Sequence, residues 1–221
     1  MTIGKGAPPV DDDTARFDAR AAAWDANPFR FKLARDIAQA MTAAGIFRQP
    51  IACALDFGCG TGLLTLELAE RAGQVTGLDT SDGMLAELSA KIERAGLGNV
   101  GVLKADLAAG DPLPGNYDLV ASAMALHHVP KPEPVLKRLF AALAPGGALA
   151  LADLDSEGGF FHDDNAGVYH HGFDRIDLAD MLAGIGFTGI DAATAAAIEK
   201  PGKNGAPKAF TVFLMTARKP V

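Results

Sequence analysis

LDFGCGTG, residues 55–62, joins the short apolar run IACALDF (51–57) to the amphipathic stretch TGLLTLELAERAG (61–73). An apolar run of strand length followed at once by helical periodicity reads as strand, tight turn, helix. Glycines at 58, 60 and 62 let the chain turn sharply and let a ligand touch bare backbone. The spacing is G-x-G-x-G. The dinucleotide fingerprint, G-x-G-x-x-G/A, would need its third small residue at position 63, which is Leu63. No Gly-Lys-Ser/Thr follows either, so this is not a P-loop. Asp56 stands at the mouth of the turn, where a carboxylate opposes pyrophosphate and favours a cation.

Working outward, strand and helix patterns alternate. QVTGLD (74–79) reads as a strand and SDGMLAELSAKIERAG (81–96) as a helix, with Ser81 or Asp82 as cap and Gly96 as stop. VGVLKADL (100–107) and YDLVASAMAL (117–126) are further strands, KPEPVLKRLFAALAPGG (131–147) a helix and ALALADLD (148–155) a strand. DRIDLADMLAGIGF (174–187) is a helix, and GIDAATAAAIE (189–199) and KAFTVFLMTAR (208–218) close the chain as two strands joined by the loop KPGKNGAPK (200–208). Apolar strands alternating with helices predict an α/β fold, a doubly wound and mostly parallel sheet covered on both faces. Ligands of such sheets sit beyond the carboxyl ends of the strands, near the point where strand order reverses. Ahead of the sheet, residues 14–45 read as a helical cap, with Phe17, Ala21 and Trp24 at helical spacing, a second helix from Pro28, and Gly45 as its end. Residues 1–13 read as a mobile leader and about 155–173 as a lid insertion in the domain spanning 50–221.

The chain has 221 residues, 49% hydrophobic and 21% charged, with a net charge of −7. That suits one globular domain. No Lys/Arg run offers the basic stripe a duplex binder needs, so no nucleic-acid partner is expected. No apolar run approaches the roughly 18–20 residues of a membrane span, and no apolar signal core opens the chain, so a cytoplasmic location and no membrane partner are expected. Cys53 and Cys59, six positions apart around an extended segment, lie too far apart to bridge and read as reduced thiols.

The downstream acids match the turn. Asp79 ends the second strand, 23 residues after Asp56, where a carboxylate can take ribose hydroxyls, and Asp106 ends the third. Singly, each acid reads equally well as a turn cap or helix start, and Met84 as core. In register, the three carboxylates suit a ligand that is part sugar, part base and positively charged. S-adenosyl-L-methionine, with a cationic sulfonium and amino group and no phosphate, has that chemistry.

On LDFGCGTG, GLDTSDGML, KADL and FAALAPGGALALAD, the chain resembles the class I S-adenosylmethionine-dependent methyltransferases of small-molecule type over roughly residues 50–218. The resemblance implies a Rossmann-like, seven-stranded sheet of order 3-2-1-4-5-7-6, the last strand antiparallel. It implies that Gly58 and Gly60 line the methionine end of the cofactor, that Asp79 holds the ribose, that Met84 packs near the adenine, and that Asp106 with Leu107 fixes the adenine edge. Asp56, Thr80 and Ala123 complete the expected cofactor-binding set. The implied reaction is in-line methyl transfer to a small-molecule acceptor.

All five histidines fall at loop ends or in one loop: His127 and His128 after the fourth strand, and His162, His170 and His171 in FFHDDNAGVYHHGF (160–173). His128 and His171 are the candidate bases for an acceptor that must lose a proton, although LHH reads equally as pocket floor. Trp24, His127, Phe161, Tyr169 and His170 are the candidate acceptor-pocket residues. Phe17 or Trp24 would either face the sulfonium as a cation–π partner or pack on the sheet. A metal site built from His162, Asp163, Asp164, His170 and His171 is a further reading; the spacing H-x₇-H-H matches no firm zinc pattern, solvated loop residues explain the set as well, and no metal is expected. After the fourth strand, SAMALHHV holds no Asn/Asp-Pro-Pro-Tyr, which departs from the enzymes that methylate nucleobase or glutamine nitrogens. The competing readings are a protein or tRNA methyltransferase and a non-catalytic S-adenosylmethionine-binding regulatory module.

Overall fold

A computed structural model describes residues 10–201 and 207–221. Two helices, α1 (Val10–Trp24) and α2 (Pro28–Ala43), precede the sheet. Then follow β1 (Ile51–Phe57), α3 (Leu63–Ala69), β2 (Ala72–Asp79), α4 (Asp82–Ala95), β3 (Val100–Lys104), β4 (Tyr117–Ala123), α5 (Pro132–Ala142), β5 (Leu143–Leu154), α6 (Arg175–Ile185), β6 (Thr188–Pro201) and β7 (Pro207–Arg218). The seven strands form one sheet in the order β3-β2-β1-β4-β5-β7-β6. All neighbouring pairs are parallel except those of β7, which runs antiparallel to both β5 and β6. β1 therefore has β2 on one side and β4 on the other, so strand order reverses there. The crevice at that reversal positions the site.

The alternation of strand side chains builds a core on each face. Leu55 and Val120 point into one with Leu136 and Leu139 of α5, while Ala54 and Leu119 point into the other with Ile37 and Met41 of α2. Both faces of β4 and β5 are buried, which explains why their sequences are continuously apolar. The helix ends follow their caps. Asn27 accepts from the Phe29 amide ahead of α2, Ser81 from the Met84 amide ahead of α4, and Asp174 from two amides ahead of α6. Gly96 and Gly186 end α4 and α6 in the left-handed region.

Several boundaries move. α3 stops at Ala69 rather than running to Gly73, because β2 begins at Ala72, where it pairs with Ile51. Tertiary pairing overrides the helical pattern of ERAG. β3 ends at Lys104, which leaves Asp106 in a turn, and β4 ends at Ala123, before Met124 takes φ +57°. β5 starts at Leu143, which pairs with Tyr117, and α5 ends correspondingly at Ala142. α1 begins at Val10, so residues 10–13 of the expected leader are helical, and residues 1–9 lie outside the described residues. Of the loop 200–208, residues 202–206 lie outside them, while Pro201 and Pro207 pair as the ends of β6 and β7.

Gly62 shows how closely the glycine turn packs on its surroundings. It adopts φ +85°, and a Cβ placed there would lie 2.3 Å from Leu88 Cδ1 of α4. Both the left-handed conformation and the overlap oppose a side chain, each at a cost of order 1–3 kcal/mol. Gly62→Ala is expected to lower the unfolding midpoint by several degrees in thermal denaturation. Gly98→Ala, where a Cβ meets nothing within 4 Å, should leave it within about 1 °C of the parent, and equal effects would contradict this packing.

Candidate active site

The turn after β1 is clamped to the end of β2. The amides of Gly58 and Cys59 both donate to the Leu78 carbonyl, at 2.8 and 3.0 Å. Gly58 adopts φ +68°, with space for a Cβ closed by Ala125 at 2.3 Å. The Asp79 carboxylate accepts from the Gly60 amide on Oδ2 at 2.8 Å and from the Ser81 amide on Oδ1 at 3.0 Å. One side chain thus ties the glycine turn to the start of α4, and a carboxylate has further lone pairs to offer a ligand. Asp56 is only 1% exposed and accepts from Thr65 Oγ1 at 2.6 Å. Burial pushes its carboxyl up to about 7, against the opposing Thr65 hydrogen bond and with repulsion from Asp79 adding to the push. Asp79 is raised as well, again chiefly by burial. Asp106 Oδ1 accepts from the Ala108 and Ala109 amides, so this carboxylate also caps its own turn.

These groups open into a cavity of about 770 Å³, within the range of small-molecule sites. Its walls include all nine residues expected to bind the cofactor: Asp56, Gly58, Gly60, Asp79, Thr80, Met84, Asp106, Leu107 and Ala123. Trp24, His127, His128, Phe161 and Tyr169 line it too. His170 and His171 do not. The His170 ring stacks on Phe173 and its Nε2 donates to the Val129 carbonyl at 3.0 Å, while His171 is exposed and packs over Gly159. The cause is the return of the loop at Gly172, where Phe173 bridges to Asp155 and draws residues 170–173 away from the cavity. His171, a candidate base on sequence, is therefore remote from the other candidates.

The imidazole that the loop does deliver is His162, which the sequence placed in an unspecific loop set. It meets His127 at 5.1 Å and His128 at 5.7 Å between ring centroids. His127 is 1% exposed and its Nδ1 lies 2.7 Å from Asp153 Oδ1; Asp153 is fully buried. Burial works to raise the Asp153 carboxyl, but His127 and two backbone amides outweigh it and hold it low, so it accepts and Nδ1 donates. His128 Nδ1 lies 2.6 Å from the Gly167 carbonyl, which can only accept, so this Nδ1 donates as well. Burial, then the neighbouring His127, pulls the His128 imidazole down to about 4, and burial followed by His127 and His128 does the same to His162. Asp153 carried no sequence signal, since it sits inside an apolar strand.

The N-terminal helices cover this chamber. Phe17 of α1 meets His128 edge-on at 5.1 Å, and Arg16 pairs with Asp164 of the loop at 2.6 Å. Asp18 accepts from Ser81 Oγ and the Gly83 amide, at 2.5 and 2.8 Å. Asp25 accepts from Thr61 Oγ1 at 2.7 Å and pairs with Lys91. The helical cap is thus fastened to the glycine turn, to α4 and to the loop.

Residues 54–147 match the sequence family described as a methyltransferase domain. The trans-aconitate 2-methyltransferase of Deinococcus radiodurans is 37% identical over 131 residues, covering 58% of this chain and 48% of that protein. The ubiquinone biosynthesis O-methyltransferase of Idiomarina loihiensis is 32% identical over 157 residues, covering 65% of this chain and 60% of that one. Among solved structures, that of DhpI with SAH superposes with a TM-score of 0.71 at 25% identity, covering 95% of this chain and 96% of DhpI. Residues 54–147, which build the glycine turn, β2, β3 and β4, are thus similar to a methyltransferase domain, and the whole fold is like that of DhpI. The chain spans about half the length of the curated relatives it matches.

The DhpI structure holds SAH, and the donor set found here fits a cationic adenosyl ligand. Asp56 is a buried carboxyl whose side-chain hydrogen-bond partner is a neutral hydroxyl, so a cationic ligand favours its ionised form. Cys53 and Cys59 are free thiols. Burial, reinforced by Asp56 and Asp79, pushes the Cys59 thiol well up, which removes it as a nucleophile. Among the described residues no helix is long and apolar enough to cross a membrane.

The raised Asp56 carboxyl has a consequence for stability. With a folded value near 7 and an unfolded value near the ordinary ~3.9, the folded state holds the extra proton between these limits. Stability of the ligand-free protein therefore falls as pH rises through this window. Asp56→Asn removes that loss. The variant is expected to melt close to the parent near pH 4 and above it at pH 8, and parallel melting curves across the range would contradict the assignment.

Proposed function

We propose that this protein moves a methyl group to a small-molecule acceptor held in the cavity beneath α1 and the 156–173 loop. Bound S-adenosylmethionine supplies a methyl group already activated on a sulfonium. The chain's own task is then to position, to exclude water and to manage the acceptor's proton. Positioning alone can lower such a barrier by roughly 7–11 kcal/mol in well-oriented systems. In this reading Asp79 and Thr80 hold the ribose, Asp106, Leu107 and Met84 the adenine, and Asp56, Gly58, Gly60 and Ala123 the cationic end. Trp24, Phe161 and Tyr169 wall the acceptor space, with His170 supporting that wall from behind Val129.

The observation that carries this reading is the sharing of one cavity by the three strand-end carboxylates and by the imidazoles of His127 and His128. Those histidines follow β4, the strand beside β1, so acceptor and donor subsites adjoin at the reversal of strand order. The covering of the cavity by α1, fastened at Asp18, Asp25 and Arg16, favours a small acceptor over a protein or tRNA. Arg20, Arg30, Lys131 and Lys200 also line the cavity, which suits an acceptor bearing a carboxylate or similar anion. The names of the trans-aconitate and ubiquinone-pathway relatives agree with small acceptors. His128 is placed to meet the acceptor's proton, and its Nε2 carries the lone pair left by the bond to Gly167. In this reading the chain divides into a helical cap, 14–45, and a cofactor domain from 50 onward containing a lid at about 155–173, a division that the same contacts support.

Calorimetry with S-adenosylhomocysteine followed by methyl release over a panel of small carboxylates and phenols tests the reading. Tight binding without turnover on any acceptor would favour a regulatory module instead. Asp79→Ala is expected to weaken S-adenosylhomocysteine binding by about tenfold or more, the scale of a charge-assisted hydrogen bond, while the exposed Asp191→Ala leaves it unchanged. Equal effects would contradict the ribose role. His128→Ala is expected to spare that binding and slow turnover by about 10²-fold; undiminished turnover would make His128 part of the pocket floor.

A further inference from the structure

Buried polar atoms in folded proteins nearly always find partners. Among the described residues, three buried side-chain atoms do not: His127 Nε2, His162 Nε2 and Glu157 Oε1. Two of the three belong to imidazoles that face one another, and His128 stands beside both, 4.1 Å from His127 between centroids. Each of the three rings offers a nitrogen, and these nitrogens lie within 4.8 Å of one another.

We propose that His127, His128 and His162 together bind one divalent transition-metal ion in the wall of the acceptor cavity. The tautomers suit ligation. Nδ1 of His127 donates to Asp153 and Nδ1 of His128 to the Gly167 carbonyl, so in each ring Nε2 remains as the ligating lone pair. A carboxylate or carbonyl behind the distal nitrogen is the arrangement that orients metal-bound histidine and raises its basicity. Asp153 is itself fixed by the His127 and Leu154 amides, at 3.2 and 2.7 Å, so the orientation is built into β5 rather than left to a mobile side chain.

A water molecule serves this cluster poorly. In the tautomer in which His162 also presents Nε2, three converging lone pairs need three donors, and water has two hydrogens. A cation satisfies all three. Imidazole nitrogens suit zinc, iron, nickel or copper rather than magnesium or calcium. Three protein ligands leave a fourth position open, as in catalytic rather than structural zinc sites. With metal–nitrogen distances of about 2.0–2.1 Å, the rings must draw closer than they stand. His162 belongs to the 156–173 loop, and its movement supplies that contraction without disturbing β4 or β5. The ligands are adjacent residues after β4 plus one from beyond β5, a separation that fits no zinc motif and hid the site from sequence reading.

With the ion bound, His128 Nε2 is a ligand and no longer the base. The use of the ion, to polarise an oxygen of the acceptor at the open position and ease loss of its proton, rests on the methyl-transfer reading, and binding of the ion does not. The test uses tag-free protein stripped with chelator and titrated with Co²⁺, whose visible absorption reports a four-coordinate nitrogen site. One equivalent is expected to bind with that absorption, to be displaced by Zn²⁺, and to bind at least tenfold more weakly to His162→Ala. The same variant should still bind S-adenosylhomocysteine, which shows that it is folded. Asp79→Ala should keep the cobalt absorption. Cobalt binding without methyl release on any acceptor would uphold the metal site and count against the methyl-transfer reading. Absence of the absorption, or its persistence unchanged in His162→Ala, would overturn the site, whatever the methyl-release assay shows.

Discussion

The Asp79 carboxylate holds the molecule's working end together. Its two oxygens accept from Gly60 on the turn after β1 and from Ser81 at the start of α4. Ser81 in turn caps α4 through Met84 and donates to Asp18 of α1. A single acid at a strand end therefore organises the glycine turn, one helix N-terminus and the helix that covers the cavity. Removing it would release three elements, and a ligand that bonds to it draws on an acceptor already fixed in place.

This arrangement concentrates negative charge where little water reaches. Asp56 and Asp79 are both shifted upward chiefly by burial, with repulsion from Asp79 adding to the shift of Asp56 and repulsion from Asp18 to that of Asp79. A fold seeking stability alone would not retain such a pair. A phosphate-bearing ligand would worsen the conflict, and a sulfonium with an amino group relieves it. The neighbouring imidazoles present a different case: His127 and His128 are oriented by Asp153 and Gly167, and the Nε2 atoms of His127 and His162 meet no protein partner.

Much of the sheet was readable because its signals are local. β1, β4 and the second half of β5 are short apolar runs, and caps such as Ser81, Asn27 and Gly96 sit within a residue or two of their helices. The topology of seven strands, including the reversed β7, agrees with the resemblance that LDFGCGTG carried. What failed to show in sequence depends on long-range contact. α3 is cut short by pairing of Ala72 with Ile51. The loop's choice of His162 over His171 is made by the Asp155–Phe173 bridge and the turn at Gly172. Asp153 reads as one polar position in an apolar strand until His127 folds onto it.

The central claim is that the carboxylate-bearing ends of β1 and β2 cradle a cationic adenosyl ligand, with the histidine cluster beside its sulfur. A crystal structure with S-adenosylhomocysteine bound tests this most directly. The account predicts ribose hydroxyls within hydrogen-bond distance of Asp79 and the sulfur facing the space walled by His127 and His128. A nucleoside bound elsewhere, or a cavity that stays empty at saturating ligand, would contradict it.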